Sequence, residues 1–424
     1  MVYFIHKLEI NMESKTEKNG NLNRREFLAG AAAATVGSFM VLKPKTVFGT
    51  AANSKIRIGL VGCGGRGTWI ADLFVKHGGY EFTGAADYFK DRADAFGDKF
   101  RIPASKRFTG LSCHMRLLES GVDAIAIESP PYFHPSQAAA GVDAGKHVYL
   151  AKPIAVDMPG CASVEESGRR ATEKKLAFLI DFQTRANAFF IEAVKRVHGG
   201  AIGKFAFAEA SYHADVPFEW MYPYLQGENP PAENRLRAWG LSRALSGDII
   251  TEQNIHTLDV ASWIMDRPPL YAHGTGARTV RPVGEIYDHF VVNYQYPDNV
   301  AVSFTSRQFA GHGTSPEGIR NRVFGTRGVL ETEYGGQVVI RGENFYRGGK
   351  TPDIYEEGAV NNIAAFYSSI TQGDFTNPTV APSVLSNRVT LLGRKAAYEN
   401  RTVTWDEILR DDERLAPDLA GLKE

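Results

Sequence analysis

Three glycines follow a short apolar run near residue 60 of the chain and are spaced G-x-G-x-x-G. They are Gly62, Gly64 and Gly67, and the run before them, Ile56 to Val61, is typical of a strand buried on both faces. The first glycine permits a tight exit from the strand, the second lets backbone approach a pyrophosphate, and the third lets the next helix pack close to the sheet. Because the N–H groups that begin this helix face the phosphates, the spacing predicts a dinucleotide-binding turn.

An acidic residue stands where such a turn needs one. A second apolar run, Tyr80 to Ala86, ends in Asp87, which lies 20 residues after Gly67. A carboxylate at that point can accept hydrogen bonds from the adenosine ribose and repels a 2′-phosphate, so NAD is favoured. NADP remains an alternative because of three nearby residues, Tyr88, Lys90 and Arg92. A glycine-rich turn that binds nothing is a weaker interpretation, because strand, helix, second strand and acid all stand in register.

Alternating strand and helix patterns continue from Lys55 and predict a parallel sheet with crossover helices. One buried strand, 122–128, ends at the turn that contains Ser129 and Pro130, and another, 145–150, leads into Lys152. Ligands of open α/β sheets bind at the carboxyl ends of such strands. The residues expected to bind the cofactor there are Gly62, Cys63, Gly64, Gly65, Arg66, Gly67, Asp87, Ser129, Pro130, His134, Lys152 and Gln183.

Several motifs together resemble one protein family. The glycine turn, the segment Pro130-Pro131-x-x-His134 and the stretch GKHVYLAKP at 145–153 are similar to those of the glucose–fructose oxidoreductase, inositol dehydrogenase and rhizopine catabolism protein (Gfo/Idh/MocA) family. The resemblance extends from about Lys55 to the last predicted helix. The family's usual segment is G-K-H-V-x-x-E-K-P, and this chain carries Ala151 in place of the glutamate. The resemblance implies an α/β fold with an N-terminal Rossmann domain, which is a doubly wound parallel sheet, followed by a C-terminal α+β domain.

The resemblance also implies three catalytic residues. Lys152 is expected to contact both the nicotinamide region and the substrate hydroxyl, and His256 to act as the acid/base. Glu252 stands where the family usually has aspartate, and is expected to orient the site or to bond sugar hydroxyls. If 247–259 is one helix, Glu252 and His256 lie at i and i+4 on one face. The alternative for His256 is a satisfied histidine in an apolar core.

The second half of the chain reads as a separate sheet. Residues 270–340 contain several β-rich segments with turn signals between them, which predicts a largely antiparallel sheet with one open face. In the family that face commonly pairs subunits, so a homo-oligomer is expected.

The expected organisation is a signal segment at 1–52, an NAD-binding Rossmann domain at 53–180, a substrate and oligomerisation domain at 181–375, and a helix and tail at 376–424 that pack back on the first domain. A region rich in proline and aromatic residues, 214–245, is suited either to stacking a sugar ring or to packing on itself.

The N-terminus reads as a targeting segment. Arg24 and Arg25 precede an apolar run, 28–42, that is too short and too weakly hydrophobic for a membrane span. This resembles a bacterial twin-arginine signal, whose machinery exports folded proteins, and it predicts a periplasmic or exported location. A disordered cytoplasmic tail is the alternative. A folded protein exported with its cofactor cannot easily exchange it, so tightly bound NAD is expected.

Composition excludes other classes. Lys plus Arg equals Asp plus Glu at 48 each, so no basic field argues for a nucleic-acid or anionic-membrane partner. The three cysteines form no C-x-x-C and no Cys/His metal spacing, so no metal site is predicted.

The leading hypothesis is an NAD(P)-dependent oxidoreductase that transfers hydride to or from a hydroxyl-bearing carbon of a sugar, polyol or glycoside. The alternatives are a redox-neutral, NAD-dependent glycosidase and a non-catalytic dinucleotide-binding protein, the latter given weight by Ala151 and Glu252.

Overall fold

A parallel sheet forms the first half of the fold. The computed structural model of the protein describes residues 55–315 and 317–424, and the predicted twin-arginine segment, 1–52, lies outside the described residues. Within them, the six strands of this sheet are β1 (Ile56–Val61), β2 (Tyr80–Asp87), β3 (Arg107–Thr109), β4 (Ala124–Ile127), β5 (His147–Ala151) and β6 (Phe178–Asp181). Their spatial order is β3-β2-β1-β4-β5-β6, and every neighbouring pair is parallel. This doubly wound order reverses between β1 and β4, which is where such sheets bind ligands.

Crossover helices bring the candidate residues to one edge of this sheet. They are α1 (Gly65–His77), α2 (Lys90–Lys99), α3 (Cys113–Glu119), α4 (His134–Asp143) and α5 (Met158–Glu173). Every residue of β4 and of β6 is buried, because helices cover both faces of the sheet. Helix α1 begins inside the glycine turn and ends at His77, and it is capped by Gly78, whose φ of 85° is the left-handed conformation that glycine adopts readily. The carboxyl ends of β1, β4 and β5 therefore meet beside the first turn of α1.

A mostly antiparallel sheet forms the second half. In the described residues it has nine strands, namely β7 (Phe205–Ala214), β8 (Tyr271–Ala277), β9 (His289–Gln295), β10 (Ala301–Gln308), β11 (Gly318–Gly325), β12 (Gly328–Glu333), β13 (Gln337–Gly342), β14 (Tyr346–Lys350) and β15 (Thr402–Thr404). Neighbours are antiparallel apart from the central pair of β7 and β10. Burial alternates along β9 and β10, as in a sheet with one packed face and one open face. The predicted fold class is confirmed.

Long helices tie the two sheets into one compact unit, Ser54–Glu424. The helices of the second half are α6 (Ala188–His198), α7 (Ala232–Arg237), α8 (Arg243–Ser246), α9 (Ile249–Glu252), α10 (Ile255–Met265), α11 (Ile354–Gln372), α12 (Val380–Glu399) and α13 (Trp405–Leu409). Ile363 and Phe366 of α11 share a core cluster with Phe74 and Tyr149 of the first half. Helix α12 contacts α5 of the first half and α10 and β8 of the second. Among the described helices, none combines the length and the hydropathy needed to cross a bilayer.

Candidate functional site

A cleft of about 480 Å³ opens at the carboxyl edge of the parallel sheet and is closed from the other side by the second half of the fold. Most residues expected from the sequence line it, namely Gly62, Gly64, Gly65, Arg66, Gly67, Asp87, Ser129, Pro130, His134, Lys152, Gln183, Glu252 and His256. Cys63 lies behind the cleft wall, where its side chain is buried. The fold therefore gathers into one cavity residues drawn from the whole length of the two halves.

The glycine turn fits a pyrophosphate. Gly62 has a φ of 91°, and a Cβ there would overlap the backbone of Glu128. A Cβ on Gly67 would overlap the carbonyl oxygen of Gly62, so the helix can approach the strand only with glycine at this point. In contrast, a Cβ on Gly64 would meet only Arg92 Nη1, 3.7 Å away, because this position faces the cleft. The free space beside Gly64 is where a phosphate would approach the backbone.

Asp87 closes the adenosine side of the cleft. Its Oδ2 accepts a hydrogen bond from the backbone N–H of Cys63 at 2.8 Å, and its Oδ1 accepts one from Phe89 at 2.9 Å. Burial raises the pKa of Asp87, and these two backbone donors oppose that rise. A carboxylate can accept about four hydrogen bonds, so acceptor capacity remains for ribose hydroxyls. Cys63 thus serves through its backbone, and burial raises the pKa of its thiol well above the usual value.

His134 holds two loops of the cofactor side in place. Its Nδ1 lies 2.7 Å from the carbonyl oxygen of Pro153, and its Nε2 lies 2.7 Å from that of Ser129. Burial lowers the pKa of His134 to about 4, against the two carbonyl contacts, which raise it. A neutral ring donates to one of these carbonyls at a time. His134 therefore shapes the pocket by joining the turn after β4 to the segment after β5.

Lys152 and Glu252 form a largely buried ion pair in the cleft. Lys152 Nζ donates to the carbonyl oxygen of Glu252 at 2.6 Å and to its Oε1 at 3.3 Å, and the two side chains are 15% and 9% exposed. Gln253 donates to the other carboxylate oxygen of Glu252, and Tyr212 donates in turn to Gln253 Oε1 at 2.7 Å. An ammonium has three donors, so one N–H of Lys152 remains for a ligand.

His256 faces the same cleft but not on the helix that the sequence suggested. Helix α9 ends at Glu252 and α10 begins at Ile255, because the backbone N–H of Asn254 reaches back five residues to Ile249. The i, i+4 argument therefore does not apply, although both side chains line the cavity. Burial, followed by the charges of Lys152 and Arg66, holds the pKa of His256 well below 6.5. Its Nδ1 is buried and has no hydrogen-bond partner among the described residues.

Arg66 joins the glycine turn to the ends of β4 and β6. Its Nη2 donates to Asp181 Oδ2 at 2.7 Å, and its Nε donates to Glu128 Oε2 at 3.4 Å. The guanidinium lies against the rings of Trp69 and Tyr355, at 4.6 and 4.9 Å. Gln183, predicted as a cofactor residue, donates to Asp181 at 3.0 Å, and its buried Oε1 has no partner in the described residues. Such unpaired buried atoms in a cleft wall are places for ligand hydrogen bonds.

Two segments wall in the adenosine end of the cleft, and together we call them the clasp: residues 214–245 and residues 411–424. Leu236 and Trp239 of the first segment line the cleft. The second segment is anchored by an Arg235–Asp418 ion pair at 2.7 Å and by backbone contacts of Lys423. Those contacts of Lys423 are made to Leu111, which lines the cleft, and to the hydroxyl of Tyr88, which also binds Glu233.

Sequence reasoning missed several residues of the cleft. Tyr212, Gln253, Tyr334, Tyr355 and Glu128 all line it. Tyr212, Tyr334 and Tyr355 stand in segments without a local signal for function, whereas Gln253 lies between the predicted residues Glu252 and His256. Glu128 directly follows a buried strand, as Asp87 ends one, and that position was a usable signal.

The cleft combines a doubly wound sheet, a glycine turn and an acid after β2 with a lysine and a histidine. This combination defines a class of protein that binds a nicotinamide dinucleotide and uses it as a reactant. Comparison with family models agrees in both halves. Residues 56–182 match the model described as "Oxidoreductase family, NAD-binding Rossmann fold", and residues 190–331 match the GFO/IDH/MocA C-terminal domain. The chain belongs to the Gfo/Idh/MocA oxidoreductase family, and its first half is an NAD-binding Rossmann domain.

Individual relatives are distant. A glycosyl hydrolase family 109 protein of Shewanella sp. (strain W3-18-1) is 26% identical over 45% of this chain and 46% of that protein. An inositol 2-dehydrogenase of Acidothermus cellulolyticus is 23% identical over 66% of this chain and 73% of its own. The solved structure of an Agrobacterium radiobacter oxidoreductase in complex with NAD+, L-tartaric acid and magnesium superposes with a TM-score of 0.64, at 16% identity, covering 83% of this chain and 98% of the other. The chain spans about half the length of the glycosyl hydrolase relatives that it matches, and the structural likeness shows the fold alone.

Proposed function

We propose that this protein transfers a hydride between a tightly held NAD and a hydroxyl-bearing carbon of a sugar, polyol or glycoside. The observation that carries the proposal is the convergence of Lys152 and His256 on the cleft that contains the glycine turn. Lys152 Nζ donates to two acceptors among the described residues, which leaves its third N–H for a ligand, and His256 is neutral at physiological pH because its pKa is lowered. A donor and a base on one cavity are what alcohol oxidation requires.

The residues divide the work as follows. NAD, when bound, accepts the hydride that leaves the carbinol carbon as that carbon becomes a carbonyl. Lys152 donates a hydrogen bond to the substrate oxygen and stabilises the negative charge that develops there. Neutral His256 takes the hydroxyl proton, so the proton and the hydride leave the substrate for different acceptors. Glu252, fixed by Gln253, keeps the ammonium aimed into the cleft.

Aromatic side chains in the cleft support a carbohydrate substrate. Trp220 and Tyr355 are 57% and 46% exposed, Phe218 and Tyr334 are less exposed, and all four side chains line the cleft. The C–H face of a sugar or cyclitol ring packs on such rings while its hydroxyls reach polar groups. The inositol 2-dehydrogenase relative acts on a molecule of this class, in the words of its name.

The proposal includes retention of the cofactor, export and subunit pairing. The clasp supports retention, because it lies along the adenosine end of the cleft and is held there by the contact of Lys423 with Tyr88 and by the Arg235–Asp418 ion pair. The twin arginines at 24–25 support export to the periplasm through the twin-arginine machinery. Exposed apolar residues on the open sheet face, Phe207 at 44% and Val291 at 45%, support pairing of two copies.

The test uses the purified protein without added NAD. A released dinucleotide, identified by mass after denaturation, and NADH absorbance on addition of a sugar and polyol panel are the results expected. Release of nitrophenol from nitrophenyl glycosides without net NADH would instead establish a redox-neutral glycosidase. Bound NAD with no turnover of either set, in wild-type protein and Lys152→Ala alike, would establish a non-catalytic binding protein and refute the proposal.

A further inference from the structure

Glu128 is a buried acid of the cleft to which the chemistry above gives no part. Its side chain is 0% exposed, and it lines the cavity directly after β4. Its Oε2 accepts from Arg66 Nε, whereas its Oε1 is buried and has no partner among the described residues. An unpaired buried carboxylate oxygen is costly, so in a cavity wall it points to a missing ligand donor.

The sheet register places Glu128 beside the residue that departs from the family pattern. Ile127 of β4 pairs with Leu150 of β5, so Glu128 is level with Ala151, and Ala151 pairs in turn with Asp181 of β6. Paired residues of parallel strands point to one face about 4.8 Å apart. The small side chain of Ala151 leaves room for Arg66 to bridge the two flanking acids.

The location of Glu128 also indicates which half of the dinucleotide lies beside it. A dinucleotide on a doubly wound sheet crosses the switch point, with one half over each half of the sheet. Asp87 ends β2 and marks the adenosine half, so β4 and β5, which end just before Glu128 and Lys152, serve the nicotinamide half. Ribose hydroxyls and a carboxamide N–H₂ are the donors that this half offers.

We propose that Glu128 binds the nicotinamide–ribose half of NAD through Oε1, and that β4 thereby supplies an acid in place of one at position 151 on β5. The inference rests on the proposed function for its cofactor but not for its substrate. Three charged groups surround Glu128, namely Arg66, Asp181 and Lys152. Burial and Asp181 raise the pKa of Glu128 to about 7, against the two cations, so the acid changes charge in the range where NAD binding is measured.

The test moves the acid from one strand to the other. The variants are Glu128→Ala, Ala151→Glu, the double variant, and Glu173→Gln on the exposed end of α5 as a matched control. NAD affinity of protein freed of cofactor is measured by calorimetry, and folding is checked by thermal melting. Glu128→Ala keeps the Arg66–Asp181 ion pair, and it should bind NAD roughly 10- to 100-fold more weakly, as loss of one charged hydrogen bond implies. Ala151→Glu adds a third acid and should also weaken binding.

The decisive measurement is the NAD affinity of the double variant. If the acid is interchangeable between the strands, the double variant should bind NAD at least about tenfold more tightly than Glu128→Ala, because the two changes are not additive. Affinity in Glu128→Ala equal to that of the control, or no recovery in the double variant, would overturn the inference. Glu128→Gln keeps the side-chain volume and should lose the response of NAD affinity to pH near 7. Binding needs no substrate, so a protein that binds NAD but oxidises no polyol refutes the proposed function and leaves this inference open to the same test.

Discussion

Replacing Lys152 with methionine separates its electrostatic role from its packing. The ammonium makes two contacts to Glu252, at 2.6 and 3.3 Å, and both side chains are mostly buried. Loss of one donor to a developing oxyanion costs roughly 3 kcal/mol of transition-state stabilisation, which is about 10²- to 10³-fold in kcat. The same change leaves the Glu252 carboxylate without its cation, and removal of one partner of a buried ion pair costs about 3 to 5 kcal/mol of stability. Because Gln253 still donates to Glu252, we expect the lower end, about 3 kcal/mol, in the free energy of unfolding.

The assay must therefore separate activity from stability. Steady-state oxidation of the best polyol gives kcat, and urea unfolding gives stability. Adding Glu252→Gln to Lys152→Met removes the stranded charge, so the double variant should recover most of the stability while kcat stays low. Recovery of kcat together with stability would refute the reasoning, because it would mean that Lys152 acts only by holding the fold. A Lys152→Met variant with unchanged kcat would refute it outright.

Three further predictions concern pH, the glycine turn and the clasp. Because the pKa of Glu128 is raised to about 7 and that of His256 lies well below 6.5, NAD affinity should fall from about pH 8 to about pH 6, whereas loss of His256 as a base should appear only at lower pH. A calorimetric titration of NAD affinity that is flat across this range would contradict the first part. Gly64→Ala should leave the melting temperature nearly unchanged and weaken NAD binding, whereas Gly67→Ala should destabilise the fold by about 2 kcal/mol or more, and the reverse order would contradict the roles assigned to the turn. Arg235→Ala breaks an ion pair of the clasp and should release NAD several-fold faster in a competition assay, whereas an unchanged release rate would place retention elsewhere.

The sequence predicts best what is encoded locally. The strand before Gly62, the helix after Gly67 and the acid at Asp87 lie within about thirty residues of each other, and each residue type there has a specific physical reason. That part of the fold was recovered in full, and the open-faced second sheet followed from turn signals and alternating apolar residues. The pairing of Lys152 with Glu252 joins residues 100 positions apart, and only the resemblance to a family indicated that they meet.

Other features depend on packing that no local pattern encodes. The contact of Lys423 with Tyr88 joins residues that are 335 positions apart, and residues 411–424 have no periodicity from which the clasp could be predicted. At the break between α9 and α10 the backbone N–H of Asn254 bonds to Ile249 and that of His256 bonds to Gln253, and a helical pattern in the sequence does not reveal this turn. The place of Glu128 after a buried strand is visible in the sequence, whereas its place beside Ala151 follows only from the register of β4 and β5.

A single-turnover measurement shows whether hydride passes from a substrate to the cofactor that the protein retains. Purified protein with its resident NAD is mixed with polyols and sugars that carry deuterium on the carbinol carbons. The reaction is quenched within one turnover, and the mass of the dinucleotide is measured by mass spectrometry. We expect NADH that carries one deuterium with at least one substrate, and no labelled NADH with Lys152→Met. Retained NAD that never acquires deuterium from any member of the panel would contradict this expectation.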